Sequence, residues 1–489
     1  MRNEQVGERH ATVPTLEACV LYAANRTRLL HETRMSIPTP PTARSVRALT
    51  AAAVLLAGLG MVERAPAAAP APGSASSCAE LGLSACPEPF DATVPAPSGM
   101  LTWDPATRVV GFRNTYRQYP GDVIHTRGAP AYPLPPSAGP LPAVRYRFEG
   151  QSLGVDDYLR RQNATGLLVL KDGRIALEYY GHGNTPTTLW TSRSVAKSVV
   201  SVLIGIAIKE GKIGSVADRL TRYVPELEGT AWADVTLKNL LQHTSGVLWN
   251  EDYADPKSDF AHLTACEAGE TPYPCIIALL RGLKRAPGIA PGERWSYNTA
   301  GAWLVGVVLE HATGMTIARY LETRLWSRFA MEHDGVWQAL VKGKIDMGGH
   351  GFNATLRDWG RFGVFVANGG RLANGEALLS PDWIRESTTW TRAKDSVTPA
   401  NPEGTYGYQW WSGDLDPRSG ASAEARQIAA RTFWAQGIFG QGIAINATEH
   451  LVLVQWSAWD KADGPDSLYE ERSLFFNALV DALRSAPSR

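Results

Sequence analysis

Apolar and polar positions change period several times along this chain, and each change marks an element. Two apolar runs, Gly166-Leu167-Leu168-Val169-Leu170 and Ile175-Ala176-Leu177-Glu178-Tyr179, flank Lys171-Asp172-Gly173-Arg174. Asp-Gly between apolar runs predicts a β-hairpin, because the favoured two-residue turns need positive φ. Near the C-terminus, Gly442-Ile443-Ala444-Ile445 and Leu451-Val452-Leu453-Val454-Gln455-Trp456 predict two more strands around a turn. Between these ends the period becomes helical. Val195 to Lys209 is apolar on most faces and is stopped by Gly211, which predicts a buried helix. Thr236 to His243 predicts a shorter helix, and about Leu474 to Leu483 an amphipathic one. Ahead of the first hairpin, Ser152 is expected to cap a helix opening with Val155-Asp156-Asp157. The pattern predicts an α+β fold: an antiparallel sheet built from both chain ends, flanked by helices, with a mostly helical lobe over about residues 215–350. A site is expected in the cleft between sheet and lobe.

Composition adds a compartment. The 48 basic side chains balance 48 acidic ones, so no net field draws the protein to nucleic acid or an anionic membrane. Arg44 and Arg47 precede an apolar run from Ala48 to Met61, and Ala65-Pro66-Ala67-Ala68-Ala69 follows. Basic, apolar, then small is the order of a signal peptide, here over residues 35–69 with Met35 as the expected start. The apolar run is shorter than the roughly 20 residues a stable membrane span needs. Residues 1–77 then form leader and Ala/Pro linker, 78–144 a Pro-rich N-terminal extension, and 145–489 the main domain. Cys78 and Cys86, then Cys266 and Cys275, form two close pairs in loop-like sequence, read as two local disulfides. Both features point to an exported protein, periplasmic or secreted.

Candidate chemistry starts at the buried helix. Of eleven Lys, only Lys197 has a Ser three positions earlier, in Ser194-Val195-Ala196-Lys197. Positions i and i+3 share a helix face, so hydroxyl and amine can meet. A serine hydroxyl attacks well only when a base takes its proton. A lysine serves only when neutral, and burial lowers its pKa by up to about 3–5 units. The apolar run after Lys197 supplies that burial, and Ser194 sits where free helix N–H groups favour negative charge. A second element is Trp295-Ser296-Tyr297-Asn298-Thr299, whose Tyr can relay a proton. A third is Phe433-Trp434-Ala435-Gln436-Gly437-Ile438, where Gly on an edge strand lets substrate approach and a backbone N–H completes an oxyanion hole with that of Ser194.

These three elements, in this order, resemble the serine β-lactamase and penicillin-binding-protein family over about residues 145–485. The resemblance is to the class C-like branch, nearest its 6-aminohexanoate-dimer (nylon oligomer) hydrolase group. It implies Ser194 as acylated nucleophile, Lys197 as base, Tyr297 as proton relay and the Ile438 N–H as second oxyanion donor. It also implies a substrate-binding strand at Ala435, Gln436 and Gly437, and Tyr253 on a loop that closes over the substrate amide. Two positions depart from the family pattern. The relay motif usually reads Tyr-x-Asn, and Thr299 stands third. The strand motif usually begins with Lys, His or Trp, and Ala435 stands there. Relatives that bind β-lactams use a cation there for the substrate carboxylate, so the expected substrates are small esters or linear amides. Trp295, Trp410, Trp411 and Trp434 are expected to offer apolar surface to them. The alternatives are a D-alanyl-D-alanine carboxypeptidase or β-lactamase, and a penicillin-binding-like sensor that acylates without turnover.

Rival readings are weaker. Gly150-Gln151-Ser152-Leu153-Gly154 matches GxSxG, but the charged alternation before it is not the central strand an α/β-hydrolase elbow requires. His243 near Ser245 reads as a structural helix-end histidine. No phosphate loop, zinc spacing or dinucleotide fingerprint is present, so no cofactor is expected.

Overall fold

The computed structural model describes residues 78–484 apart from 129, 393–404, 414 and 416–420. The expected leader, start and linker lie outside the described residues. The described residues form one compact unit.

The main sheet has eight antiparallel strands. Following the hydrogen bonds, it runs Thr391–Arg392, Thr405–Tyr406, Trp411–Ser412, Phe433–Gly437, Gln441–Asn446, Leu451–Ser457, Ala164–Lys171 and Arg174–Tyr180. The chain ends meet where Val452 pairs with Leu170 and Val454 with Leu168. Asp172 and Gly173 take φ of 53° and 73°, as the Asp-Gly turn requires. Alternate side chains split between two cores. Leu168, Leu170, Val452 and Val454 face the helix Leu356–Ala367 and the buried helix Val195–Lys209. Leu167, Val169, Leu451 and Leu453 face Phe475, Phe476 and Leu479 of the C-terminal helix Asp466–Arg484. Val195–Lys209 lies as the apolar pattern predicts, with every residue from Val195 to Ala207 buried.

Three expectations change. Ser152 does not cap a helix. It lies exposed in a short strand, Gln151–Leu153, paired with Tyr146–Phe148 across a turn at Glu149 and Gly150, which take φ of 48° and 75°. That hairpin buries Tyr146, Phe148 and Leu153, and the next helix, Val155–Arg161, is capped by Gly154, whose N–H donates to Asp157 at 2.8 Å. The C-terminal helix begins at Asp466, eight residues before the expected start. The helical lobe also carries strands, Gly335–Val341 and Ile345–Asp346.

Those strands bind the N-terminal extension into the fold. Gly121–Ile124 pairs with Gly335–Val341, in a second sheet that includes Phe352–Ala354 and Trp190–Thr191. Phe112 of the helix Pro105–Arg113 is fully buried, its ring edge-on to Trp190 and Phe439 at 5.8 and 5.6 Å. The four cysteines among the described residues stand as two pairs, Cys78–Cys86 and Cys266–Cys275, with Cα separations of 5.5 and 5.4 Å. Among the described residues no single helix is long and apolar enough to cross a membrane.

Candidate active site

Ser194 sits at the N-cap of Val195–Lys209, immediately after the strand Trp190–Thr191. Arg193 turns the chain between them with φ of 47°, a left-handed conformation that a side chain disfavours and that gathers at functional sites. The Lys197 N–H donates to the Ser194 carbonyl at 3.0 Å, which tightens this first turn. Serine and lysine side chains are thereby stacked on one side, and Lys197 Nζ donates to Ser194 Oγ at 2.8 Å. Nζ also donates to the Gly349 carbonyl at 2.7 Å and to Thr299 Oγ1 at 3.3 Å. Burial pushes this amine down to about 8, against the opposing pull of the Glu251 and Glu267 carboxylates. Near neutral pH part of the population therefore holds a free lone pair toward the serine.

Tyr297 stands across the serine. Its ring packs on His243 at 4.5 Å and stacks on Trp411 at 5.6 Å, and Lys197 Nζ lies 5.1 Å from its centroid. Burial holds its phenol far above the ordinary range, with Glu251 adding to that and Ser194 opposing. Tyr297 is therefore a proton-bearing hydroxyl beside Ser194 and Lys197. His243 is neutral behind it, since burial and Lys197 hold its imidazole well below the usual range, and neither ring nitrogen has a partner.

The strand Phe433–Gly437 ends against the serine turn. A Cβ on Gly437 would come within 2.7 Å of the Ser192 carbonyl and 3.1 Å of the Ser194 nitrogen, so only glycine lets this backbone lie so close. Ile438 then opens a one-turn 3-10 helix, where first N–H groups lack intrahelical acceptors. Ser194, Tyr253, Tyr297, Gln436, Gly437 and Ile438 all line a cleft of about 260 Å³. Ala435 does not. It shares the strand face of Phe433 and Gly437 but is fully buried in the core with Phe433 and Ile443, which corrects its reading as a substrate contact. The tryptophans divide likewise. Trp295 and Trp411 line the cleft, whereas Trp410 stacks on Phe362 and Trp434 packs on Phe476.

Glu251, which no motif in the sequence marks, lines the cleft wall. Its carboxylate accepts from the Thr299 N–H at 2.9 Å and the Tyr253 hydroxyl at 3.1 Å, and from Thr299 Oγ1 and the Trp249 indole. Thr299 Oγ1 thus accepts from Lys197 and donates to Glu251, linking the two through the residue that replaces the family's usual Asn. Asp463 joins Glu251 on the wall, so the cleft carries two acids among aromatic rings. Among the described residues no group of three or more His, Cys, Asp or Glu is placed to hold a metal ion.

A two-core fold with Ser, Lys and Tyr converging at the head of its buried helix defines the class of serine hydrolases with the β-lactamase and transpeptidase fold. A family model described as Beta-lactamase matches residues 155–473, and the chain belongs to that family. It is similar to 6-aminohexanoate-dimer hydrolase of Paenarthrobacter ureafaciens, 28% identical over 314 residues, covering 60% of this chain and 73% of that one. A Beta-lactamase of Yersinia enterocolitica is 22% identical over 315 residues, covering 56% and 76%. Among solved structures, a putative 6-aminohexanoate-dimer hydrolase from Bacillus anthracis shares the fold with a TM-score of 0.65 at 20% identity, covering 81% of this chain and all of that one.

Proposed function

We propose that this protein hydrolyses small esters or linear amides, of the 6-aminohexanoate-oligomer kind, through an acyl-enzyme on Ser194. The contact of 2.8 Å between a buried lysine amine and the serine hydroxyl carries this reading. Neutral Lys197 takes the proton as Ser194 Oγ attacks the substrate carbonyl carbon. The resulting oxyanion is held by the N–H groups of Ser194 and Ile438. As the carbonyl re-forms, the C–N or C–O bond breaks. Tyr297 gives its proton to the departing nitrogen or oxygen and takes one from protonated Lys197. Water then attacks the acyl-enzyme, loses its proton to the same pair, and Ser194 leaves with it.

A carboxylate beside the reacting carbonyl separates β-lactams from esters and linear amides, whose charges, where present, lie further along the chain. A β-lactam carries a carboxylate, and the cleft offers it Glu251 and Asp463 rather than a cation at position 435. A panel of short esters, linear amides, D-amino-acid peptides and a chromogenic cephalosporin tests the reading. Faster turnover of esters or linear amides supports it. A cephalosporin turned over faster than all others contradicts it, and a stoichiometric burst without turnover identifies a sensor. The two cysteine pairs support export, and a mature protein without free thiols under denaturing, non-reducing conditions is the expected result.

A further inference from the structure

A second, smaller chamber lies beside Ser194, with a volume of about 60 Å³. It shares Ser194, Tyr253 and Ile438 with the main cleft, so one ligand can reach from one into the other across the serine. Tyr297 lines the main cleft and not this chamber. A leaving group that takes its proton from Tyr297 therefore lies in the main cleft, and the acyl portion points toward the chamber.

The chamber wall holds Arg193, which is 7% exposed. Its guanidinium carbon sits 4.5 Å over the Phe112 ring, which covers one face of the plane. Nε is buried without a partner, and among the described residues no carboxylate pairs with this cation. Its charged neighbours do not neutralise it. Burial lowers it to about 10, Arg108 adds like charge, and Tyr119 is an uncharged phenol at neutral pH. Lys197 also lines the chamber, engaged by Ser194, Thr299 and Gly349, while two further polar side chains there keep idle atoms. Gln338 is 1% exposed, with both amide atoms unpartnered, and His350 Nδ1 is unpartnered too. The chamber's acid, Glu267, is engaged by His350 Nε2 at 3.3 Å.

The Phe112 ring lies under the guanidinium carbon and leaves the buried Nε without an acceptor, and among the described residues no hydrogen bond engages Nη1 or Nη2. A buried, unpaired charge with idle donors is costly to a fold. A planar fork of N–H groups matches a carboxylate bidentately. The volume suits a carboxylate and a short stub of chain, since one water occupies roughly 30 Å³ of liquid.

We propose that this chamber binds a carboxylate on the acyl end of the substrate through Arg193, with Gln338 as a further donor. The inference rests on the hydrolase reading, keeps its esters and linear amides, and replaces the 6-aminohexanoate-like acyl end with that of a dicarboxylic acid. The likeness to 6-aminohexanoate-dimer hydrolase then concerns the bond cleaved, while the acyl tail differs in charge.

The test compares three p-nitrophenyl esters with equal chain length: the adipate monoester, its neutral methyl ester and the 6-aminohexanoyl ester. The wild-type protein should favour the adipate monoester over the neutral ester by about 10- to 100-fold in kcat/KM, the range of a charge-assisted hydrogen bond. The ammonium ester should be slowest. Arg193→Gln should bring the acid-to-neutral ratio close to one, and Arg193→Lys, which keeps charge but loses the fork, should give an intermediate ratio. A wild-type ratio of one or less, a fastest ammonium ester, or an unchanged ratio in R193Q overturns the proposal. Hydrolysis of none of the three esters counts against the hydrolase reading instead. Calorimetric titration with hexanoate and hexanamide then decides the chamber alone. Hexanoate binding to wild type, weakened at least tenfold in R193Q and absent for hexanamide, supports it. Equal binding of the two ligands, or none, overturns it. If R193Q does not fold, the wild-type comparison of hexanoate with hexanamide decides between the same two outcomes.

Discussion

Lys197 places the pH dependence of the reaction. Burial lowers its amine from an ordinary 10.5 to about 8, and among the described residues no carboxylate touches it directly. At pH 7 an ordinary lysine is neutral in roughly 3 of 10,000 molecules, whereas one titrating near 8 is neutral in about a tenth, a gain of roughly 300-fold in active base by the definition of pKa. If proton abstraction by this amine gates acylation, kcat/KM for a neutral ester should rise about tenfold per pH unit below 8 and level off above it. The assay is initial-rate turnover of a stable p-nitrophenyl ester between pH 5.5 and 9.5, with circular dichroism confirming the fold at each end. Lys197→Arg should be inactive across the range, because guanidinium does not release its proton in a protein. A rate that is flat from pH 6 to 9, or an Arg variant with substantial activity, would refute lysine as the base.

Three further outcomes follow from the same geometry. Lys197's folded pKa lies below its unfolded one, so the unfolded chain binds more protons between about 8 and 10.5 and stability should rise with pH across that window. Lys197→Met should therefore abolish turnover yet raise Tm at pH 7, with the gain shrinking by pH 9.5; thermal melts at both pH values check this, and a lower Tm at pH 7 contradicts it. Gly437→Ala should lower kcat by about a hundredfold, the loss typical of one oxyanion donor, because the added Cβ would press on Ser192 and the Ser194 nitrogen; an unchanged kcat contradicts the close packing. Ala435→Lys should lower Tm and fail to raise cephalosporin hydrolysis, since it forces a cation into the core; a stable variant with faster cephalosporin turnover contradicts that placement.

Local signals in the chain were strong where neighbours in sequence are also neighbours in space. Val195–Lys209 is apolar all round and ends before a glycine, and its predicted limits match the structure. Asp172-Gly173 declared its hairpin because few other residue pairs accept that turn. Ser194 and Lys197 stood out because i and i+3 on a buried helix bring amine and hydroxyl together. What stayed hidden depends on chain segments far apart. Glu251 sits in a polar stretch that reads as solvated loop, and becomes part of the cleft wall where Thr299, 48 positions later, donates to it twice. Lys197's shortest contact is a carbonyl 152 positions away. The burial of Ala435 and the strand at Ser152 turned on packing against distant elements and on a Glu149-Gly150 turn that composition does not announce.

Acylation of Ser194 is the step on which every later one depends. Intact-protein and peptide mass spectrometry after a fluorophosphonate, or after a slowly deacylating ester, measures it directly. One adduct per chain is expected, carried by the peptide containing Ser194 and absent in Ser194→Ala. An adduct on any other serine, or labelling that persists in Ser194→Ala, would contradict this assignment of the nucleophile.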